Sequence, residues 1–170
     1  MLENDFLAIE VSTFGAELQS IRDKATGFEY LWYGDKTYWG RRSPVLFPIV
    51  GKVWEGRMRY QGTEYQLSQH GFARDCEFEP IDVFDLNKKF NYCFSASKVL
   101  AFVLHSNEDT RKLYPFDFSL YIAYQLNGRE VEVYWIVENH TDGDIYFQIG
   151  AHPAFNYRDF DVNADIQGYM

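Results

Sequence analysis

The feature that most constrains the fold is a pair of alternating segments on either side of Asn127 and Gly128. Every second position in both segments is apolar. These positions are Phe118, Leu120, Ile122, Tyr124 and Leu126 before the pair, and Val131, Val133, Trp135 and Val137 after it. A period of two places such side chains on one face of a strand. Because Asn and Gly both tolerate positive φ angles, the sequence predicts a long antiparallel β-hairpin.

Shorter apolar or alternating runs, separated by glycine and polar residues, predict further strands. They cover residues 6–11, 16–21, 27–33, 58–60, 64–67, 76–84, 90–95, 99–105 and 145–149. Residues 107–112 predict a loop or one helical turn that Pro115 would end. No stretch has sustained helical periodicity. The sequence therefore predicts an all-β fold, a sandwich of antiparallel sheets.

Residues 43–52 are apolar, but Pro44 and Pro48 interrupt them. Proline cannot donate a hydrogen bond to a neighbouring strand, so a central strand throughout this stretch is disfavoured. We expect an extended, partly buried segment with Arg42 and Lys52 at its ends.

Composition excludes several classes of partner. A chain of 170 residues predicts one domain with a sizeable core. Its net charge of −9 argues against nucleic acid and anionic membranes as partners. No apolar run has membrane-spanning length and the N-terminus lacks a signal-peptide pattern, which predicts a cytoplasmic protein. Cys76 and Cys93 lack Cys-x-x-Cys spacing, so buried free thiols are expected rather than a disulfide or a metal site.

Aromatic residues make up 19% of the chain, which has two interpretations. Aromatic side chains favour the pleated surface of a β-rich core. They also stack on sugar rings in binding grooves. Composition alone favours the first interpretation.

Two histidines lie in glycine-containing, loop-like stretches: His70 in residues 69–75 and His152 in residues 150–156. Imidazole titrates near physiological pH, which suits proton transfer on a neutral polar substrate. The alternative is that each histidine is structural. Arg74 either contacts a substrate or forms an ion pair with the adjacent Asp75.

The other two histidines, His105 and His140, are interpreted as structural, because one ends a predicted strand and the other lies in a turn. No His-x-His or His-x-x-x-His spacing is present, so no metal site is expected.

Four stretches in this order resemble the aldose 1-epimerase (galactose mutarotase) family, in particular its LacX-like branch. They are residues 42–52, 70–75, 114–118 and 150–156. The resemblance implies a large β-sandwich, the supersandwich. Residues 1–170 are then expected to be the N-terminal and larger part of a single domain, so the fold is expected to be incomplete.

The resemblance also implies an activity, namely interconversion of the α and β anomers of a hexose or hexose phosphate without a cofactor. His152 matches the general acid of the family, and His70 matches a second histidine near the ring oxygen. Arg42 and Lys52 lie near positions that hold sugar hydroxyls or a phosphate in relatives, and Arg74 is a further candidate for substrate binding.

The catalytic glutamate of the family lies in a C-terminal part to which nothing here corresponds. Within this sequence Asp75, Glu55 and Asp159 are candidate bases only because they lie near the motifs. The alternative function is therefore a carbohydrate-binding β-sandwich without catalysis. A third possibility is an incomplete chain whose exposed strand edges lead to self-association, so a homo-oligomer is also considered.

Overall fold

The protein was analysed as a computed structural model, which describes residues 1–157. These residues form eleven strands and two helices, joined by loops that include three 3₁₀ turns. The elements are β1 (Leu2–Glu3), β2 (Leu7–Val11), β3 (Leu18–Asp23), β4 (Val45–Leu46), β5 (Arg57–Tyr60), β6 (Thr63–Gln66), β7 (Glu79–Ile81), α1 (Val83–Phe90), β8 (Val99–His105), α2 (Glu108–Leu113), β9 (Phe118–Asn127), β10 (Glu130–Asn139) and β11 (Gly150–Ala151).

Four antiparallel sheets organise the described residues. The largest has the strand order β10-β9-β8-β7, and a second has the order β1-β2-β3. Two smaller pairs, β11-β4 and β5-β6, complete the arrangement. The prediction of an all-β fold built from antiparallel sheets is therefore confirmed.

The predicted hairpin is the longest pairing in this fold. β9 and β10 pair in one continuous register from Phe118 opposite Asn139 to Asn127 opposite Glu130. The loop consists of Gly128 and Arg129, one residue later than predicted, and Gly128 has a φ of +59°. Glycine at the first loop position supplies the positive φ that a tight hairpin requires.

The main core lies on one face of the β9 strand. The alternating residues of β9 pack there against β2, β3 and an aromatic group from the loops. That group consists of Phe47, Phe72, Tyr114 and Phe116, which pack with Phe118 of β9, and all five are almost completely buried. Burial of such apolar surface is the main favourable contribution to folding, at about 25 cal/mol per Å².

The other face of the same sheet is covered by α1, which the sequence analysis missed. Val83 and Leu86 pack on Val103 and Tyr121 in a second cluster. Asp82 begins this helix by accepting a hydrogen bond from the Phe84 N–H at 2.7 Å. The predicted strands at 76–84 and 90–95 are therefore wrong, except for the short β7.

Two further strand predictions are also wrong, since residues 27–33 and 145–149 make only isolated backbone contacts. Glu29 and Leu31 form single bridges, and Gln148 N–H donates to the Pro48 carbonyl at 2.8 Å. The remaining predicted strands, the 57–66 hairpin and the helical turn after 107 are present.

The segment from 150 to 156 is paired along both of its edges. On one side β11 pairs with β4, and the pairing continues as His152 N–H and Ala154 N–H donate to the carbonyls of Pro44 and Arg42. On the other side Ala154 accepts from the Trp32 N–H at 2.9 Å. This double pairing fixes the backbone around His152.

Both cysteines are free, as predicted, but only one is sheltered. Cys76 is half-buried, whereas Cys93 is exposed in the loop after α1, which corrects the expectation that both are buried. Among residues 1–157, no helix is both long enough and apolar enough to cross a membrane.

The buried Tyr124 hydroxyl provides a test of the packing between the two largest sheets. It donates to the Ala16 carbonyl at 2.7 Å, and burial raises its pKa far above the ordinary value. We expect Tyr124→Phe to lower the free energy of unfolding by about 1–3 kcal/mol in urea titrations, because the Ala16 carbonyl loses its partner. In the control Tyr134→Phe, the lost hydroxyl bonds the neighbouring Glu132 at the surface, so the change should stay within about 0.5 kcal/mol. Equal losses of unfolding free energy in the two variants would show that the buried hydrogen bond of Tyr124 contributes no more than the surface one of Tyr134.

Candidate active site

A cavity of about 230 Å³ brings together the two histidines that the sequence singled out. It is lined by Trp39, Pro44, Leu46, Gln69, His70, Arg74 and His152. The ring centres of His70 and His152 lie 6.2 Å apart, with the ring planes at 69° to each other. Residues 82 positions apart in sequence therefore form one site.

The backbone of Gly51 determines which ring nitrogen of His70 carries the proton. The Gly51 N–H donates to His70 Nδ1 at 2.9 Å, and the His70 N–H donates to the Gly51 carbonyl at 2.7 Å. Since Nδ1 accepts a hydrogen bond, the proton of the neutral ring is on Nε2. Burial, followed by the positive charges of Arg74 and His152, lowers the pKa of His70 below its ordinary value of 6.5. His70 is thus held as a neutral hydrogen-bond donor.

Gly71 allows the loop that carries His70 to approach the buried segment that begins with β4. The Phe72 and Ala73 N–H groups both donate to the Phe47 carbonyl, at 3.0 and 3.1 Å. A Cβ at position 71 would lie 2.2 Å from the Phe47 carbonyl oxygen, and Gly71 has a φ of +72°. Only glycine fits this approach without displacing one of the two segments.

His152 differs from His70 in the surroundings of its ring. Its main chain is fixed by the Pro44 carbonyl, but within residues 1–157 no hydrogen bond holds the imidazole nitrogens. The Trp39 ring lies 5.5 Å from it, centre to centre. The imidazole of His152 is therefore available to a bound molecule.

Arg74 supplies the positive charge of the cavity lining. Its Nη2 donates to the Gln69 carbonyl at 2.7 Å, and its Nε is buried without a hydrogen-bond partner in the described part of the chain. The predicted ion pair with Asp75 is long, at 3.7 Å from Nε to Oδ2. Asp75 instead forms a close pair with Arg41.

The structure does not bring Arg42 and Lys52 into the lining of this cavity. The Arg42 guanidinium donates to the Gln19 carbonyl at 2.5 Å, and the backbone N–H of Arg42 donates to the buried Glu17 carboxylate at 2.7 Å. Lys52 is exposed in the loop before β5. Their contact with a substrate stays a prediction.

No carboxylate from residues 1–157 lines the cavity. Of the candidate bases, Asp75 is paired with Arg41, and Glu55 is paired with Arg57 and Arg59 on the β5–β6 hairpin. Asp159 lies outside the described residues.

Trp39 and Gln69 are lining residues that the sequence analysis did not single out. The aromatic composition had raised sugar stacking as an interpretation, but it pointed to no particular aromatic residue. His105 and His140, interpreted as structural, lie outside the cavity, where each ring bonds the Ser119 hydroxyl at 2.8 Å.

Comparison with known proteins identifies the family of the chain. The family model described as aldose 1-epimerase matches residues 1–169. The chain belongs to the aldose 1-epimerase family. Within it the chain is LacX-like: it is 33% identical to the plasmid-encoded protein LacX of Lactococcus lactis subsp. lactis, over 161 residues that cover 91% of this chain and 50% of the relative.

Solved structures of family members match the fold as well. A galactose mutarotase related enzyme from Lactobacillus acidophilus is 36% identical, with a TM-score of 0.83 over 92% of this chain and 48% of the other. A galactose mutarotase-like protein from Lactobacillus casei is 37% identical, with a TM-score of 0.81 over 91% and 49%. The chain spans about half the length of the relatives that it matches.

The approach of Gly71 to Phe47 can be tested with a matched pair of substitutions. Gly62 also has a positive φ, but nothing lies within 4 Å of a Cβ placed there. We expect Gly62→Ala to cost about 1 kcal/mol of unfolding free energy, from φ strain alone. Gly71→Ala adds a clash with a buried carbonyl, so more than about 3 kcal/mol is expected in denaturant titrations. Similar costs would show that the close approach contributes little.

The assignment of His70 as a neutral donor can be tested by NMR titration of the imidazole nitrogens. We expect its midpoint below 6.5, with the neutral proton on Nε2. Between its folded and unfolded pKa values the unfolded chain binds more protons, so the contribution of His70 to stability falls as the pH drops through this window.

Replacing Arg74 tests the charge contribution to that pKa. Arg74→Gln removes one of the two positive charges, and should raise the midpoint of His70 part of the way towards 6.5. Arg22→Gln, at an exposed position of β3, should leave it unchanged. A wild-type midpoint above 6.5 would contradict the assignment.

Proposed function

We propose that this chain carries the histidine side of an aldose 1-epimerase site that interconverts the α and β anomers of a hexose or hexose phosphate. The observation that carries the proposal is the pairing of His70 and His152, 6.2 Å apart, in one cavity. Membership of the aldose 1-epimerase family supports the same isomerase-type chemistry.

The reaction requires one proton to leave the anomeric hydroxyl and another to reach the ring oxygen. A base removes the hydroxyl proton, the C1–O5 bond breaks, and His152 donates a proton to O5, which gives the open-chain aldehyde. Rotation about the C1–C2 bond followed by the reverse proton transfers closes the ring on the other face. No net proton is consumed, so a group that titrates near neutral pH suits both directions.

The two histidines suit different roles in this scheme. The ring of His152 has no hydrogen bond within residues 1–157, so its nitrogen is free to reach O5. His70 has Nδ1 occupied by the Gly51 N–H and a lowered pKa, so it donates through Nε2 as a neutral group. We assign His152 as the general acid and His70 as the group that orients the sugar.

The remaining lining residues suit a pyranose ring. Trp39 packs beside His152 and presents an aromatic surface on which the apolar face of a sugar can stack. Arg74, which lines the cavity, provides a charged donor for a hydroxyl or phosphate oxygen. Contacts of Arg42 and Lys52 with the substrate remain part of the proposal only through the family resemblance.

A second candidate function is carbohydrate binding without catalysis. It is favoured by one observation, the absence of a carboxylate from the cavity lining within residues 1–157. A site with the acid but no base loses a positioned group that contributes on the order of 10²–10⁴-fold to the rate.

The experiment that separates these functions is NMR exchange spectroscopy on glucose, galactose and glucose 6-phosphate in the presence of the chain. For the epimerase we expect accelerated exchange between anomers with at least one sugar. His152→Ala should lower this rate on the order of 10²-fold or more. The control His140→Ala removes an exposed imidazole outside the cavity and should have no effect.

The other outcomes are equally definite. Sugar-induced shifts of the Trp39 indole without exchange would show that the chain binds a sugar but supplies no base, which leaves either the binding function or an epimerase whose base lies on another polypeptide. Neither shifts nor exchange with a folded sample would contradict both functions.

A further inference from the structure

A second cavity, of about 440 Å³, lies where β8 ends, β9 begins and β10 ends. These three strand ends meet because the strands are antiparallel neighbours in the main sheet. α1 and α2 contribute further walls, and none of the described residues lines both this cavity and the candidate active site. The lining includes two cations, two imidazoles, a hydroxyl and a carboxylate, namely those of Lys89, Arg111, His105, His140, Ser119 and Asp117. Convergent polar groups in a cavity of this size are typical of a ligand site.

A chain of hydrogen bonds determines which groups of this second cavity are already occupied. Ser119 is buried, and its hydroxyl oxygen lies 2.8 Å from both His105 Nδ1 and His140 Nε2. A hydroxyl has one hydrogen, so one imidazole accepts it while the other imidazole donates to the oxygen. His140 Nε2 also lies 3.4 Å from Glu138 Oε2, and a carboxylate favours a hydrogen on the nitrogen that faces it. His140 therefore donates to Ser119, Ser119 donates to His105 Nδ1, and the neutral His105 ring carries its hydrogen on Nε2.

Several donors of the lining have no partner within residues 1–157. Arg111 donates through Nε to the Asp117 carboxylate at 2.5 Å, and no hydrogen bond there uses its two Nη groups. Lys89 Nζ lies 3.0 Å from Glu138 Oε2, and an ammonium group has three hydrogens to donate. The Nε2–H of His105 likewise has no acceptor among these residues. The second cavity therefore offers a guanidinium fork, an ammonium group and an imidazole N–H to a ligand rich in acceptors.

The Asp117 carboxylate in the lining limits the class of that ligand. Its Oδ1 accepts from Arg111 and from the Ser106 hydroxyl, whereas its Oδ2 has no hydrogen bond in the described part of the chain. The hydrogen bond from Arg111 lowers the pKa of Asp117, so the carboxylate is ionised at neutral pH. An ionised carboxylate repels a bare oxyanion but accepts a hydrogen bond from a hydroxyl group. A ligand that suits both the cations and Asp117 carries a hydroxyl beside its anionic oxygens.

We propose that the second cavity binds a phosphate group with an adjacent hydroxyl, either hydrogen phosphate itself or the phosphate of a hydroxylated monoester. The phosphate oxygens accept from the Nη groups of Arg111, from Lys89 and from His105, and a guanidinium fork binds two such oxygens at once. The hydroxyl, which is P–OH in hydrogen phosphate and C–OH in an ester, donates to Asp117. The serine and histidine behind His105 orient its ring without contacting the ligand. Sulfate has the shape and charge of hydrogen phosphate but no hydroxyl, so the site discriminates against it.

The test is a titration of the 170-residue chain, followed by NMR at constant ionic strength and neutral pH. Hydrogen phosphate should shift the backbone amide signals of Ser106 and Ser119 and the ring signals of His105, and these shifts should saturate at millimolar concentrations. Sulfate should bind about 10-fold more weakly or less, because it offers no hydrogen to Asp117. Glucose 6-phosphate separates the two sources of the phosphate group. Tighter binding than hydrogen phosphate at the same signals assigns the site to an ester, and weaker binding assigns it to free phosphate.

A matched pair of arginine substitutions separates a specific site from general attraction between charges. Arg111→Gln removes the guanidinium fork and should weaken phosphate binding about 10-fold or more. Arg59 is the control: its Nε also donates to a carboxylate, that of Glu64 at 2.9 Å, and its side chain is similarly exposed but outside the cavity. Arg59→Gln removes the same charge and should leave binding unchanged. Asp117→Asn replaces the charged acceptor by an amide, and should reduce the preference for phosphate over sulfate.

Three results would overturn the proposal. The first is the absence of a saturable shift at the second cavity, or shifts confined to His70 and His152, which would place phosphate in the candidate active site instead. The second is equal binding of sulfate and hydrogen phosphate, or a preference for phosphate that Asp117→Asn leaves unchanged. The third is phosphate binding that Arg59→Gln weakens as much as Arg111→Gln does. None of these readouts depends on epimerase activity, so the proposed function and this second site can fail separately.

Discussion

The site depends on a single buried carbonyl, that of Phe47. It accepts two hydrogen bonds from the chain that follows Gly71, and so joins the segment after β4 to the loop that carries His70. The Phe47 ring lies in the aromatic core, with its centre 5.1 Å from that of Phe118 on β9. Backbone hydrogen bonds and core packing at one residue thus tie the loop to the main sheet. A loop attached in this way can hold an imidazole in one orientation.

Local sequence patterns correctly predicted the strands whose conformation depends on neighbouring residues alone. β9 and β10 alternate regularly, and β8 is a continuous apolar run of strand length. All three pair with their neighbours in sequence, so these local patterns were sufficient. The helix at residues 83–90 was missed because short apolar runs at its two ends were predicted as parts of strands 76–84 and 90–95, and a short apolar run fits a strand or a helix equally. Asp82 favours the helix by capping its first turn. Residues 145–149 failed for the opposite reason. Their pattern suits a strand, but no strand within residues 1–157 pairs with them.

The candidate site shows the same division between local and distant determinants. His70 and His152 were identified because their motifs resemble those of a family, and the structure places both in one cavity. Trp39 was not, because an aromatic residue in an aromatic-rich chain is informative only once its neighbours are known. Arg42 shows the reverse case: it belongs to a motif, yet its guanidinium is held by the Gln19 carbonyl. Proximity in sequence to a motif does not determine where a long side chain points.

The segment from 150 to 156 also determines which kinds of sequence change the site can tolerate. His152 faces the cavity, whereas Ala151, Pro153 and Phe155 line an apolar groove on the opposite side of the segment. The insertion or deletion of one residue before His152 would therefore exchange the two faces. The imidazole would then point into the apolar groove, and a neighbouring apolar side chain would replace it in the cavity. Substitutions at groove-facing positions leave this alternation of side chains unchanged. Across related proteins, the length of this segment should therefore vary less than the identity of its groove-facing residues.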